Sequence, residues 1–395
     1  MLRPRLTRLI IGLIAAVGVL TGAGKLLLGT AYAARQVVTR LGATIGAPVR
    51  VGEVSLGYIA STLRDVDVLE TTPTAEPPAW TTCRGVDADL SLWQLLSGNV
   101  ADGAVTLRDT AVTLRFDANN RLVTRLPTPE VTGGALPLIR IEGGQLTIQK
   151  SGVPDAVFRG ISLELRSEGP RLTLSGRFVD PEWGEWTVGG GQDSPTGPFT
   201  LELRTVRPVH ATPELLRKVP FVPAVTWRHV ECDGTTPCEV LVRLGGGAPR
   251  THYRVVLDPK DTKVFVPIIR LSADGTEGRV IVEDDVVTLE RVRGLAAGGD
   301  LRVGSRMDFT GETKSLKFSI EAAGMHLKQL PESWQVPAVA GKVSGKAELE
   351  LLTRAGQRTK ASGSGEGAVQ MLSFLPPFRL RLEATDRGFR FLPVR

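Results

Sequence analysis

From residue 48 onward the apolar residues of this chain tend to fall on every second position. Val112, Leu114 and Phe116 alternate with Thr113, Arg115 and Asp117, and Leu146 and Ile148 with Gln145, Thr147 and Gln149. Ile161, Leu163 and Leu165 are set between Ser162, Glu164 and Arg166 in the same way. The period returns in Leu316, Phe318 and Ile320, and again in Val343, Ala347, Leu349 and Leu351. Successive side chains of a strand point to opposite sides, so each run predicts a strand with one apolar and one wet face. Asp102-Gly103, Gly143-Gly144, Asp274-Gly275, Gly298-Gly299 and Arg387-Gly388 read as turn signals between the runs. Their spacing predicts hairpins and an antiparallel sheet of on the order of 18 strands.

Helical signals are few. Residues 35–46 read as a short amphipathic helix stopped by Gly46-Ala47-Pro48. Residues 90–97 (LSLWQLLS), 212–218 and 326–334 are three further short candidates, with Thr212 as N-cap and Pro213 in the first turn of the second. So few helices cannot cover the apolar side of that many strands. Those sides must meet each other in a sandwich or barrel, or line a concave trough. Residues 71–78, 189–197 (GGGQDSPTG) and 355–367 read as loops.

The N-terminal segment breaks the period. Residues 9–34 are apolar except for Lys25. As a helix they span roughly 36–39 Å, enough for a ~30 Å hydrocarbon core. Leu9, Ile10, Ile11, Leu13, Ile14, Val17, Val19 and Leu20 form the body of this anchor. Arg3, Arg5 and Arg8 with the terminal amine outweigh Lys25, Arg35 and Arg40 slightly, which favours a cytoplasmic N-terminus. The rival reading is a cleaved signal peptide ending at Ala31-Tyr32-Ala33.

Composition narrows the function classes. The chain has 395 residues, 42% apolar and 23% charged, in the range of folded proteins. A net charge of +6 is dispersed among acids and aromatics are 5%, which argues against a nucleic-acid groove or stacking platform. Cys232 and Cys238 flank Asp-Gly-Thr-Thr-Pro, and read either as a short disulfide or as two free thiols near a hairpin tip; Cys83 is left over. No CxxC pair suggests zinc. His210, His229, His252 and His326 have no metal-binding spacing, and no nucleophile elbow or phosphate loop is present. Residues 363–367 (GSGEG) resemble a phosphate cradle only in glycine content. The pair Trp183 and Trp186 suits a sugar site or a membrane interface, and more commonly a packed hairpin tip. No enzyme, cofactor or metal site is expected.

Two stretches carry a family cadence. LGATIGAPVRVGEVSLGYIASTLRDVDVLE (41–70) follows the anchor, and GVDADLSLWQLLSGNVADGAVTLRDTAVTLRFDANNRLV (85–123) runs strand, Leu-rich helix, two strands, Asp-x-Asn turn. Together with the anchor they resemble the AsmA-like family of envelope proteins. Residues 327–352 and 363–372 are similar to that family's repeating strand module, whereas 180–260 departs from it. The resemblance implies a mainly β fold: a long curled antiparallel sheet, or β-groove, built from hairpins, with one N-terminal transmembrane helix and a few short helices. With soft boundaries placed near 130 and 270 along the chain, the expected division is an anchor over 1–34, an N-terminal β region over 35–130, a central β region over 131–270 and a C-terminal groove module over 271–395. The resemblance also implies an inner-membrane tether, a periplasmic body, and a part in phospholipid traffic to the outer membrane and in envelope integrity.

On that reading Val112, Leu114, Phe116, Leu316, Phe318, Ile320, Leu349 and Leu351 line a lipid groove. Acyl chains would then cover the apolar faces, at ~0.8 kcal/mol per buried methylene. One trough of all strands would run 80–90 Å at ~4.8 Å per strand. That is short for joining two membranes unaided, so membrane phospholipids are joined as expected partners by envelope proteins or further copies of the chain. The competing expectation is an envelope scaffold of closed sandwiches with no lipid conduit. Whether the apolar faces are open or covered separates the two.

Overall fold

The computed structural model describes residues 46–394 except 57–59, 72–76, 90–102, 119–120, 126–136, 195–196, 221–226, 228–229, 246–250, 268, 337–338, 355–356, 358, 372–375 and 386–387; before these it describes Arg35, Val38, Thr39 and Gly42. The period-two runs fold into one long mixed sheet of 22 strands that does not close on itself. In chain order these are β1 (Val49–Leu56), β2 (Ser61–Leu69), β3 (Ala79–Ala88), β4 (Ala104–Phe116), β5 (Leu138–Lys150), β6 (Val153–Glu168), β7 (Arg171–Asp180) and β8 (Gly184–Gln192). Next come β9 (Pro198–Thr205), β10 (Val209–Ala211), β11 (Glu231–Thr236), β12 (Cys238–Gly245), β13 (His252–Leu257), β14 (Lys260–Val266) and β15 (Leu271–Glu283). The last are β16 (Val286–Ala296), β17 (Gly299–Asp308), β18 (Thr313–His326), β19 (Lys342–Arg354), β20 (Lys360–Gln370), β21 (Phe378–Thr385) and β22 (Gly388–Pro393).

The ladder runs from β1 to β9 in order, then through β12 and β13 to β15, and on in order to β22. Strands β10, β11 and β14 form a side branch that joins the first half of β15. At ~4.8 Å per step the path from β1 to β22 measures on the order of 85 Å.

Three expectations are corrected. The sheet is not purely antiparallel, because β4 and β5 pair in parallel from Ala104↔Leu138 to Phe116↔Lys150. The connection between them, 117–137, is long enough for a crossover, which a parallel pair needs and a hairpin turn cannot supply. Gly143-Gly144 and Asp274-Gly275 lie inside β5 and β15 rather than between strands. Gly143 has φ +66° and Gly275 φ +57°. A bulge uses the same left-handed residues as a tight turn, so sequence alone does not tell them apart.

The third correction concerns two predicted loops. Gly189, Gly190 and Gly191 belong to β8, and Gly363, Gly365 and Gly367 to β20. A Cβ on Gly191 would sit 2.1 Å from the Leu172 carbonyl oxygen, and one on Gly365 2.3 Å from that of Lys346. These two glycines are needed because neighbouring backbones approach too closely for a side chain.

Helices are as few as expected among the described residues. α1 (Pro213–Arg217) has Thr212 as N-cap, its Oγ1 accepting from the Leu215 N–H at 3.2 Å. A 3-10 turn covers Leu327–Gln329. Arg35, Val38, Thr39 and Gly42 are helical, with Thr39 Oγ1 donating to the Arg35 carbonyl. The candidate helix at 90–97 lies outside the described residues. The sheet itself is continuous across residues 130 and 270, the two expected region boundaries.

Candidate functional site

The feature that dominates the molecule is one face of its sheet. Register decides it. Val49 faces Val68, Leu63 faces Val86, Val86 faces Leu107, and Val112 and Leu114 face Leu146 and Ile148. The series continues through Leu165↔Leu174, Val188↔Leu203, Leu203↔Val240, Val240↔Val255 and Val255↔Val282. It ends with Val287↔Met307, Leu316↔Leu351, Phe318↔Leu349, Val369↔Phe378 and Leu382↔Phe391. Directly opposed residues of paired strands share a face, so apolar residues meet apolar residues from β1 to β22.

Alternation alone would not have kept that face continuous. Asp65, Asp109, Gly143 and Gly160 have φ of 52°, 48°, 66° and 64° and mark bulges in β2, β4, β5 and β6. At each bulge the apolar parity slips by one. In β4 the apolar side chains stand at odd positions before Asp109, as Val105 and Leu107, and at even ones after it, as Val112, Leu114 and Phe116. Arg291 (φ 50°) does the same in β16, between Leu289 and Val292.

The opposite face is wet and charged. Arg108 pairs with Asp87 at 2.7 Å, Arg140 with Glu164 at 3.1 Å, Arg279 with Asp258 at 2.7 Å and Lys346 with Glu321 at 2.5 Å. The Lys346 ammonium holds the Glu321 carboxyl below its usual range, and Arg166 and Arg140 do so for Glu164. These pairs are exposed and so contribute little to stability. A concavity of about 1100 Å³ lies on this side around Arg302, Glu321, Lys346, Glu366 and Arg381.

The apolar face is covered unequally. Across β4–β9, Val112, Leu114, Ile139, Ile141, Leu163, Leu174, Leu201 and Leu203 are only half-buried. An aromatic group closes one margin of this stretch: Trp186 stacks on Phe178 at 5.7 Å, Phe158 lies 4.9 Å from Trp183, and both tryptophan N–H groups donate to backbone carbonyls. The Trp183/Trp186 pair is thus packed hairpin structure, with both residues 6% exposed.

In β15–β22 more of the same face is buried, although Phe318 and Ile320 are half-buried there too. Leu316 is 0% exposed, Leu351 2% and Leu349 4%. Part of the cover is the connection between β18 and β19, at residues 327–336, over Ile320, Val343, Leu382, Phe389 and Phe391. Its Leu327, Leu330 and Trp334 are buried, and Trp334 Nε1–H donates to the Ile269 carbonyl at 2.9 Å. The Trp334 ring meets Phe389 edge-on at 5.3 Å and Phe391 at 6.3 Å. Gln335 bridges to Arg390 on the outer side of β22. A cavity of about 50 Å³ remains between this cover and Leu301, Ile320, Val343 and Leu382. That is room for one or two water-sized groups.

All eight residues expected to line a groove lie on this one face. Val112 and Leu114 are half-buried, Phe116 is buried at the margin of that stretch, Phe318 and Ile320 are half-buried, and Leu316, Leu349 and Leu351 are buried. The eight anchor residues, Leu9 to Leu20, lie outside the described residues. Among the described residues no helix is long and apolar enough to cross a membrane. Sequence reasoning misses the cover, because 326–334 reads as a helix and Ile269, Phe389 and Phe391 show no local signal of their long-range contact.

Cys232 and Cys238 are free. They lie on β11 and β12, opposite Val264 of β14 and Leu257 of β13. The extended chain between them sets them about 20 Å apart, beyond disulfide reach. Desolvation pushes both thiols up to about 12. His210 and His252 pair with Asp233 and Asp284, and no group of His, Cys, Asp or Glu among the described residues is arranged to hold a metal.

The fold and face together define an open, single-sheet amphipathic β protein. No family model, no curated protein and no solved structure matches the chain.

Proposed function

We propose that this is an AsmA-like, inner-membrane-anchored periplasmic protein that binds phospholipid acyl chains in an apolar β-groove. Its role is then in lipid traffic for outer-membrane biogenesis and envelope integrity. The observation that supports this reading best is the apolar face of β4–β9, half-buried and in register from strand to strand. Water is a poor partner for such a face, and ten methylenes laid along it would contribute on the order of 8 kcal/mol toward extracting a lipid. No catalytic group is needed for this, only a continuous apolar floor. The N-terminal apolar segment supplies the tether.

A second reading has its own support. The more deeply buried face of β15–β22 suits a structural part, with partner proteins bound outside. Placing a photoreactive benzophenone side chain in the full chain, in its native membranes, separates the two. Position 163 points to the apolar face and position 162 to the wet one. The lipid reading expects phospholipid adducts at Leu163 and none at Ser162. Absence of adducts at 163, or equal yields at both, overturns it and leaves the scaffold.

A further inference from the structure

A row of charges crosses the wet face from β15 to β21. Register sets Glu277 opposite Arg293, Arg293 opposite Arg302, Arg302 opposite Glu321, Glu321 opposite Lys346, Lys346 opposite Glu366 and Glu366 opposite Arg381. The sign alternates at every step but one. Arg293 of β16 and Arg302 of β17 face each other directly, and like charges so placed destabilise a sheet. Glu277 is taken up by Arg293 and Glu321 by Lys346, and Arg302 has no ion-pair partner among the described residues. The same step adds a third cation. Arg291 stands at the bulge of β16 with φ 50°, and it too has no ion-pair partner among the described residues. The bulges of β2, β4, β5 and β6 fill their left-handed position with Asp or Gly, which adopt it more readily than a long side chain does.

All three arginines line one concavity of about 570 Å³, together with Gly304 of β17 and Ser319 of β18, which are paired across the ladder. Its floor is bare. A Cβ on Gly304 would meet nothing within 4 Å, and its φ is not positive, so neither packing nor backbone conformation calls for glycine there. Glycine weakens a strand interior, and the effect of this one is to leave room. Guanidinium forks and a hydroxyl around an empty floor suit a compact oxyanion with several acceptor oxygens. No aromatic ring lines the place to stack a sugar or a base. A phosphate monoester carries a charge of about −2, which matches the two unpaired guanidiniums, whereas a carboxylate would leave one over. We infer that this concavity on β16–β18 binds a phosphate group, carried by a soluble phosphate ester or by a lipid headgroup. It lies on the face turned away from the acyl-chain groove and does not depend on that reading.

The test uses the full chain held in a zwitterionic nanodisc. Glycerol phosphate is titrated calorimetrically at fixed ionic strength, with acetate as the control anion. In a second arm, phosphatidylcholine vesicles with and without phosphatidic acid are tested for capture by flotation. Saturable binding of glycerol phosphate, and none of acetate, is the expected result if a soluble ester is the source. Capture by phosphatidic acid vesicles alone assigns the phosphate to a lipid, provided that Arg302→Gln abolishes it. Gly304→Leu, which fills the floor, and Arg302→Gln should each weaken binding about tenfold or more, the worth of one charge-assisted hydrogen bond. Without phosphate the urea midpoint of Arg302→Gln should be no lower than that of the wild type, since the change relieves the Arg293–Arg302 opposition. Phosphate should raise the wild-type midpoint and leave that of Arg302→Gln in place. Absence of binding in both arms, equal binding of acetate, or wild-type binding by both variants overturns the inference. So does a lower midpoint for Arg302→Gln without phosphate, since Arg302 would then serve Glu321 and not a ligand.

Discussion

The strands of β4–β9 and those of β15–β22 are written in the same alternating code, yet one stretch keeps its apolar face half-buried and the other buries more of it. The difference does not lie in the strands. Leu163 and Leu349 occupy equivalent places, each on the apolar face of a strand in the middle of its ladder. What differs is the connections. Between β5 and β9 the links run strand to strand in short turns, such as Ser151-Gly152 and Gly169-Pro170. Between β18 and β19 the link is fifteen residues long (327–341), and its residues 327–336 fold across the sheet and bring Trp334 onto Phe389, Phe391 and the Ile269 carbonyl. An apolar face in a single sheet needs a second layer. Here one half draws part of that layer from its own loop, and in the other Leu114, Leu163, Leu174 and Leu203 pack against the core and stay half-buried.

The sharpest way to break this comparison is a buried charge. Leu349→Asp places a carboxylate where the leucine is 4% exposed, without a partner. The expected loss is about 3–5 kcal/mol, enough to unfold the C-terminal half in mild urea. Leu163→Asp in the half-buried stretch should cost about 1 kcal/mol, because its carboxylate reaches water. Urea titrations followed by circular dichroism give both numbers. Equal losses would mean that the two halves are covered alike.

A change in the cover itself has the next largest effect. Trp334→Ala removes a ring packed on two phenylalanines and one hydrogen bond, with an expected cost of about 3 kcal/mol. It should also enlarge the 50 Å³ cavity into an apolar recess and raise the binding of anilinonaphthalene sulfonate, making the more buried half resemble the other. Trp334→Phe keeps an aromatic ring there and loses the N–H bond, at about 1 kcal/mol. Dye binding that stays at the wild-type level in Trp334→Ala would show that other segments do the covering.

How much of this is legible in the sequence follows the range of the forces involved. Alternation is local, so the strands holding Val112, Leu163, Phe318 and Leu349 are readable, as is the Thr212 cap of α1. Parity slips are not. Gly143 and Gly275 look like turn glycines because bulges and turns ask for the same backbone, and only the partner strand decides which is formed. The glycines of β8 and β20 read as linkers, since their role is to admit a neighbouring backbone that the sequence does not reveal. The parallel β4–β5 pair and the Trp334 cover both depend on contacts between distant residues. The candidate site is therefore visible as a face, while its division into half-buried and more deeply buried parts is not.

The smallest effect concerns the joint between the halves, where β11–β13 carry Cys232, Cys238 and Tyr253. Burial pushes the two thiols from an ordinary value near 9 up to about 12, and burial first, then the Asp285 charge, raises the Tyr253 phenol. The unfolded chain releases each thiol proton near pH 9, while the folded one holds it until about 12. Between these values the unfolded state binds fewer protons, so stability falls as pH rises. The urea midpoint should be level from about pH 7 to 8.5 and then decline, each retained proton contributing up to about 1.4 kcal/mol per pH unit. Cys238→Ala should remove up to one proton from that slope, and maleimide should label neither thiol quickly at about pH 7.5 in the folded protein. A midpoint that stays flat to about pH 11, or rapid labelling of Cys238, would mean that the joint opens on its own, and the halves would then be separable units rather than one sheet with two kinds of cover.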